Sequence, residues 1–123
     1  MAKKKILIID DEVNITKMLK LMLEKDGAYE VSYENNGILA LQRILEWHPD
    51  LLILDINMPE TSGGEILAKI HDNPKLAKLP VIFLTGDVTP DEADQGMTIS
   101  GYPAFSKPMN ISKLMECIQS SLS

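Results

Sequence analysis

At 123 residues and 13.7 kDa the chain suits one domain, with no room for a second catalytic or DNA-binding unit. A formal net charge of -6 and a pI near 4.8 oppose a nucleic-acid surface, which depends on concentrated Lys and Arg. With 45% hydrophobic and 24% charged residues, a single cysteine and no apolar run near the roughly 18 residues of a membrane span, the composition opposes disorder, an internal disulfide and insertion; a cytoplasmic protein is expected.

The short basic cluster Lys3 to Lys5 reads as a solvated strand start, and Lys4 to Ile9 as a strand buried on both faces. Ile15, Met18, Leu19, Met22 and Leu23 then recur at spacings of three and four, predicting a helix closed by Gly27. Met18, Met22 and the later Met115 read as core filler on such faces. Tyr29 to Tyr33 is a second strand. Ile38, Leu41, Ile44 and Leu45 predict a helix ending near His48-Pro49, with Trp47 packed at its end. Leu51 to Leu54 is again a buried-strand run. The Pro, Ser and Gly of Ile56 to Gly64 predict a loop with Met58 exposed, before a helix through Ile66, Leu67 and Ile70.

Val81 to Leu84 makes a fourth strand, entered through Pro80. Thr89-Pro90-Asp91-Glu92 looks like a helix cap with proline at the first position, although Gly96 weakens that helix. A short strand at Ala104 to Ser106 and a helix through Ile111, Leu114, Met115, Ile118 and Leu122 complete five strand-helix pairs. The alternation predicts an α/β doubly wound fold, with a five-stranded parallel sheet of order 2-1-3-4-5 and right-handed crossovers. Residues 1–123 are expected to form one domain without an output domain. Cys117 reads as a partly buried structural thiol, and His48 and His71 as surface residues.

Ligands of such sheets bind beyond the carboxyl ends of the strands. Asp10 and Asp11 follow the first strand and Asp55 the third; in the predicted order these strands are neighbours, so three carboxylates share one crevice. Mutual repulsion then calls for a cation, and an oxygen-rich set suits Mg2+. Asp55 is open to three roles: a metal ligand, a cap of the following loop, or a nucleophile that forms an aspartyl-phosphate. Thr85, ending the fourth strand beside Gly86, offers a hydroxyl to a phosphoryl oxygen, and Lys107 offers a point charge. Pro108 permits a cis peptide that would aim Lys107 into the crevice.

These residues carry a resemblance that runs from Lys4 to the end. Ile8-Ile9-Asp10-Asp11-Glu12, Leu54-Asp55-Ile56-Asn57-Met58-Pro59 with Gly63 eight places after Asp55, Leu84-Thr85-Gly86, and Lys107-Pro108 occur in order at strand ends. In them the chain resembles the receiver domain of two-component response regulators, of the single-domain chemotaxis type. The resemblance implies a flavodoxin-like (βα)5 fold in which Asp55 takes a phosphoryl group from a phosphohistidine on a sensor histidine kinase or phosphotransferase. It implies that Asp10, Asp11, Asp55 and the backbone carbonyl of Asn57 hold Mg2+, with Mn2+ as an alternative, and that Thr85 and Lys107 contact the phosphoryl oxygens. The chain would catalyse only its own phosphorylation and dephosphorylation, not conventional turnover.

The output would be a population shift of the face built by the helix after Thr89, the last strand and the last helix, read by a downstream protein effector. No direct DNA or membrane binding is expected. The expected state is a monomer, with a phosphorylation-linked dimer as the alternative.

One departure concerns the residue three places before the lysine, usually aromatic in that family and here Ala104. Strand alternation points Phe105 to the opposite face unless a bulge re-aims it, and Gly101-Tyr102-Pro103 suggests an altered turn. Asn57 and Asp87 stand two residues beyond Asp55 and Thr85, where the family flanks the path of an attacking water, so Asp87 is expected to influence acyl-phosphate lifetime. The strongest rival is a receiver-like interaction module that works without phosphorylation. A haloacid-dehalogenase-type phosphatase would want an Asp-x-Asp pair after a strand, and a dinucleotide-binding domain a Gly-x-Gly-x-x-Gly; neither is present.

Overall fold

The structure is a computed structural model and describes residues 3–86, 97–107 and 109–122. The expected helix at Thr89 to Glu92, the lifetime role of Asp87 and the cis peptide at Pro108 lie outside the described residues.

The apolar runs become strands β1 (Lys4–Ile9), β2 (Tyr29–Glu34), β3 (Leu51–Asp55), β6 (Val81–Thr85) and β8 (Tyr102–Ser106), which pair in parallel in the order β2-β1-β3-β6-β8. This is the predicted order. A sixth strand, β7 (Thr98–Ile99), was not predicted: it pairs antiparallel to β8 at the sheet edge. Ser100 and Gly101 between them have φ of 54° and 85°, the left-handed conformation that a two-residue hairpin turn requires. The altered turn expected at Gly101-Tyr102-Pro103 is therefore a hairpin. The predicted Ile56 to Gly64 loop likewise carries a small ladder, β4 (Asn57–Met58) against β5 (Thr61–Ser62).

Side chains alternate along each parallel strand, and two cores result. Leu7, Ile9, Leu52, Leu54, Val81 and Phe83 face α2 (Ala40–Trp47) and α3 (Gly63–His71), where Ile44, Ile66 and Ile70 close the layer. Ile6, Ile8, Ile53, Ile82 and Leu84 face α1 (Val13–Glu24) and α4 (Ile111–Ser121), meeting Leu19, Leu23, Leu114 and Ile118. Most of these side chains are fully buried, each worth about 2 kcal/mol. Their burial on both faces explains why the strands read as unbroken apolar runs.

The helices start where polar side chains satisfy free backbone N–H groups. Ser62 Oγ accepts from Glu65 N at 3.2 Å to begin α3, and Asn110 Oδ1 from Lys113 N at 3.2 Å to begin α4. Asn36 does the same for a short 3-10 turn, Gly37–Leu39, that precedes α2. The predicted face of α2 is corrected. Ile38 lies in that turn rather than in the helix and is 54% exposed. Within α2 the inward face is set by Ala40, Ile44 and Trp47 at spacings of four and three, with Leu41 beside it, and Leu45, about 100° round from Ile44, is 39% exposed. Helix α2 ends at His48, whose φ of 55° is a left-handed cap.

Three methionine expectations also change. Helix α1 buries Thr16, Leu19 and Leu23, and Met18 and Met22 stand beside that stripe, each 39% exposed, rather than in the core. Met58, expected at the surface, is buried against Gly37, where an added Cβ would lie 3.0 Å from its sulfur. Met115 is half-buried against the α1 and α4 core as expected. Lys3 and Lys4 are exposed, but Lys5 is half-buried, its Nζ 5.3 Å from the Trp47 ring centroid and 3.2 Å from the Trp47 carbonyl. Cys117 is half-buried, and burial pushes its thiol pKa up, as suits a structural thiol. His48 and His71 are exposed. Among the described residues no helix is long and apolar enough to cross a membrane.

Candidate functional site

Strands β1 and β3 are neighbours with Ile9 opposite Leu54, which sets Asp10 and Asp55 side by side where the strands end. Both are buried, at 0% and 3% exposure. Each uses one carboxylate oxygen locally: Asp10 Oδ1 accepts from Glu12 N at 2.9 Å and Asp55 Oδ1 from Asn57 N at 3.4 Å. The other oxygens turn inward. Asn35 Nδ2 fixes the Asp10 backbone by donating to its carbonyl at 2.8 Å and to Thr16 Oγ1 at 3.0 Å.

Lys107 follows β8, where its backbone N donates to Thr85 O at 3.0 Å and so extends the β6–β8 ladder by one residue. Its ammonium lies 2.8 Å from Asp10 Oδ2, 3.1 Å from Asp55 Oδ2 and 2.9 Å from Glu12 Oε1. Thr85 is buried at the end of β6, on the strand next to Asp55. The structure thus brings Asp10, Asp11, Asp55, Thr85 and Lys107 to one end of the sheet. A cavity of about 720 Å3 opens there, lined by Asp11, Glu12, Asp55, Asn57 and Lys107 among polar residues and by Met18 and Ile111 among apolar ones.

The electrostatics follow from crowding. Burial, then the charge of Asp10, pushes the Asp55 carboxyl up to about 7, with Lys107 opposing both. Burial likewise raises Asp10 above the usual carboxylate range against the pull of Lys107. Burial alone would lower Lys107, but Asp10, Glu12 and Asp55 together raise it, so the ammonium stays charged.

One ammonium does not satisfy this set. Asp10 Oδ2 and Asp55 Oδ2 are buried, and although Lys107 is within ion-pair distance, neither accepts an aligned hydrogen bond among the described residues. One oxygen each from Asp10, Asp11 and Asp55 can be chosen so that all three lie within 4.8 Å of one another. Two buried carboxylate oxygens without an aligned hydrogen bond, beside a third carboxylate in an all-oxygen donor set, fit a hard divalent cation.

Gly63 holds the loop after β3 against the site. Its N–H donates to Ile56 O at 2.8 Å, and an added Cβ would stand 2.8 Å from Asp55 O and 3.0 Å from Ile56 Cα. At the last strand, Phe83 pairs with Ala104, Leu84 with Phe105 and Thr85 with Ser106 without interruption. No bulge re-aims Phe105, which packs with the α1 and α4 core, while Ala104 is buried in the other. Tyr102 shares the Ala104 face, edge-on to Phe83 at 6.2 Å with its hydroxyl 2.9 Å from His71 Nε2. Neither the Tyr102 contact nor the Glu12 contact with Lys107 was among the sequence expectations.

Residues 6–119 match the family model of the response regulator receiver domain. The chain belongs to that family. This receiver domain is 32% identical over 123 residues to the polar-differentiation response regulator DivK of Brucella abortus (strain 2308), covering 99% of this chain and 98% of that protein. It is 33% identical over 114 residues to the "Probable transcriptional regulator ycf29" of Pyropia yezoensis, covering 93% of this chain but 51% of that relative, about half its length. Its backbone superposes on Vibrio cholerae chemotaxis protein CheY4 with a TM-score of 0.81 at 28% identity, over 98% of this chain and 100% of that one. The CheY-like receiver domain protein of Methanospirillum hungatei JF-1 gives 0.80 at 30% identity, over 98% and 94%. Receiver domains are signalling modules of two-component systems rather than conventional turnover enzymes.

Proposed function

We propose that this receiver domain accepts a phosphoryl group on Asp55, from a phosphohistidine on a sensor histidine kinase or phosphotransferase, and signals to a partner protein. The observation that carries the reading is the Lys107 ammonium set between two buried carboxylates, 2.8 Å from Asp10 and 3.1 Å from Asp55. A permanent cation beside a buried carboxylate that has oxygen to spare is suited to receiving further negative charge.

An Asp55 carboxylate oxygen attacks phosphorus, forming an O–P bond while the donor P–N bond breaks. The electron pair leaves on the imidazole nitrogen, and with the other ring nitrogen carrying its proton in the phosphohistidine the product is neutral histidine. Lys107, fixed by its backbone bond to Thr85 O, supplies positive charge to the phosphoryl oxygens, and the Thr85 hydroxyl donates to one of them. Asp10, Asp11, the Asp55 side chain and the Asn57 backbone carbonyl would hold Mg2+, or Mn2+ in its place. Such an ion supplies charge neutralisation for the incoming group.

The modified state favours a conformation that the partner binds better. The net charge of -6 supports a protein partner over DNA. A cytoplasmic setting and a resting monomer, with a phosphorylation-linked dimer as the alternative, belong to the same reading. Incubation with Mg2+ and acetyl phosphate followed by intact mass is the test. One phosphoryl group is expected on the native chain and none on Asp55→Asn. An unmodified native chain, or equal addition to the variant, would overturn the assignment in favour of an interaction module that works unphosphorylated.

A further inference from the structure

We propose that Glu12 is a positioning residue that holds Lys107 in the resting site and must release it when a phosphoryl oxygen arrives, a role that rests on the phosphoryl-acceptor reading above. The local chain places Glu12 for this. Its N–H is bound by Asp10 Oδ1 at 2.9 Å, and its carbonyl accepts from Ile15 N and Thr16 N at 3.1 and 3.2 Å to begin α1. The Glu12 side chain makes no helix-capping bond although it stands at the cap position. It reaches instead to Lys107 Nζ at 2.9 Å, a contact across 95 residues of sequence.

Asp10 and Asp55 lie at ion-pair distance from Lys107 without an aligned hydrogen bond, whereas Glu12 Oε1 accepts one at 2.9 Å. A phosphoryl oxygen that takes the Lys107 ammonium into its own hydrogen bond therefore competes with Glu12. Asp10 and Asp55 are held more firmly in the metal-free site, because their side chains are 0% and 4% exposed and removal of the ammonium there leaves a buried charge uncompensated. The Glu12 side chain is 55% exposed, so water replaces the ammonium at little cost. Glu12 also lines the cavity through which a donor reaches Asp55. It is thus the partner that yields, and its hold on Lys107 is part of the barrier.

Glu12→Gln removes the charge at constant size and leaves the backbone bonds that start α1. Phosphorylation by acetyl phosphate, followed by intact mass, is expected to run about fivefold faster in this variant, the worth of a half-exposed ion pair. Simple repulsion of an anionic donor by Glu12 predicts acceleration too, but it would persist without the lysine. In a Lys107→Met background the gain from Glu12→Gln is therefore expected to vanish. A variant no faster than native, or a gain that survives in that background, overturns the proposal.

A second measurement needs neither metal nor donor. The Lys107 ammonium resonance of the metal-free protein is expected to shift and to exchange with water faster in Glu12→Gln, and an unchanged resonance overturns the latch. A native chain that takes no phosphoryl group refutes the phosphoryl-acceptor reading itself. A native chain that is modified, with Glu12→Gln no faster, refutes only the latch.

Discussion

With Asp10 and Asp55 buried side by side, one ammonium has to serve two anions, and the shortfall is visible in how Asp55 titrates. Its carboxyl, near 3.8 in an unperturbed chain, is pushed up to about 7 by burial and by Asp10. Between those values the folded chain keeps a proton that the unfolded chain has lost. This contribution to stability is therefore complete below about pH 4 and is lost as pH rises through about 7. In EDTA at pH 8, Asp55→Asn is expected to raise unfolding free energy by roughly 2 to 4 kcal/mol over native in urea titrations. The difference is expected to close toward pH 4. These carboxylates were legible because each ends an apolar run, and the end of a strand is marked in sequence. The tie from Glu12 to Lys107 was not, since nothing local records a contact between residues 95 apart.

Elements were readable in kind and less so in phase. The spacing of Ile38, Leu41, Ile44 and Leu45 is helical, yet Ile38 falls in a 3-10 turn at Gly37–Leu39 and the face that packs is the one through Ala40, Ile44 and Trp47. A short run with apolar residues on two sides does not say which side is covered. Met58 is buried because a two-residue ladder folds its loop back onto Gly37, a tertiary event that Pro and Gly content does not report. Gly63→Ala tests the same loop. Its Cβ meets the Asp55 and Ile56 backbone, so a loss of about 1 to 3 kcal/mol is expected in urea unfolding, with slower acetyl-phosphate modification because β3 must shift. At the last strand, Ala104→Tyr would add a ring to the buried space that Phe83 and Tyr102 already share. A similar loss of about 1 to 3 kcal/mol is expected, partly restored by Tyr102→Ala, which a double-mutant cycle in urea measures.

For the molecule as a whole, the crowded anions Asp10, Asp11 and Asp55 are expected to make stability rise when a divalent cation is supplied. At about a hundred times its Kd, Mg2+ is expected to add about 2.7 kcal/mol, seen as a rise in Tm by scanning calorimetry. Asp11→Asn is expected to shrink that rise at the same Mg2+ concentration. The order 2-1-3-4-5 was legible because five apolar runs alternate with helices and the crossover rule leaves few topologies. The two residues of β7 were not, being too few to set a period. That short strand has a further effect. By pairing with Tyr102 and Pro103, and through the bond from Ala104 N to Met97 O at 3.0 Å, it commits backbone groups on the outer margin of β8 to its own chain. Neither a visiting peptide nor a second copy can pair with those β8 groups, and the edge left beyond them is only the two residues of β7. What docks against β8 beside Tyr102 and His71 therefore meets side chains rather than open β8 backbone, which leaves specificity at that place open to change one substitution at a time.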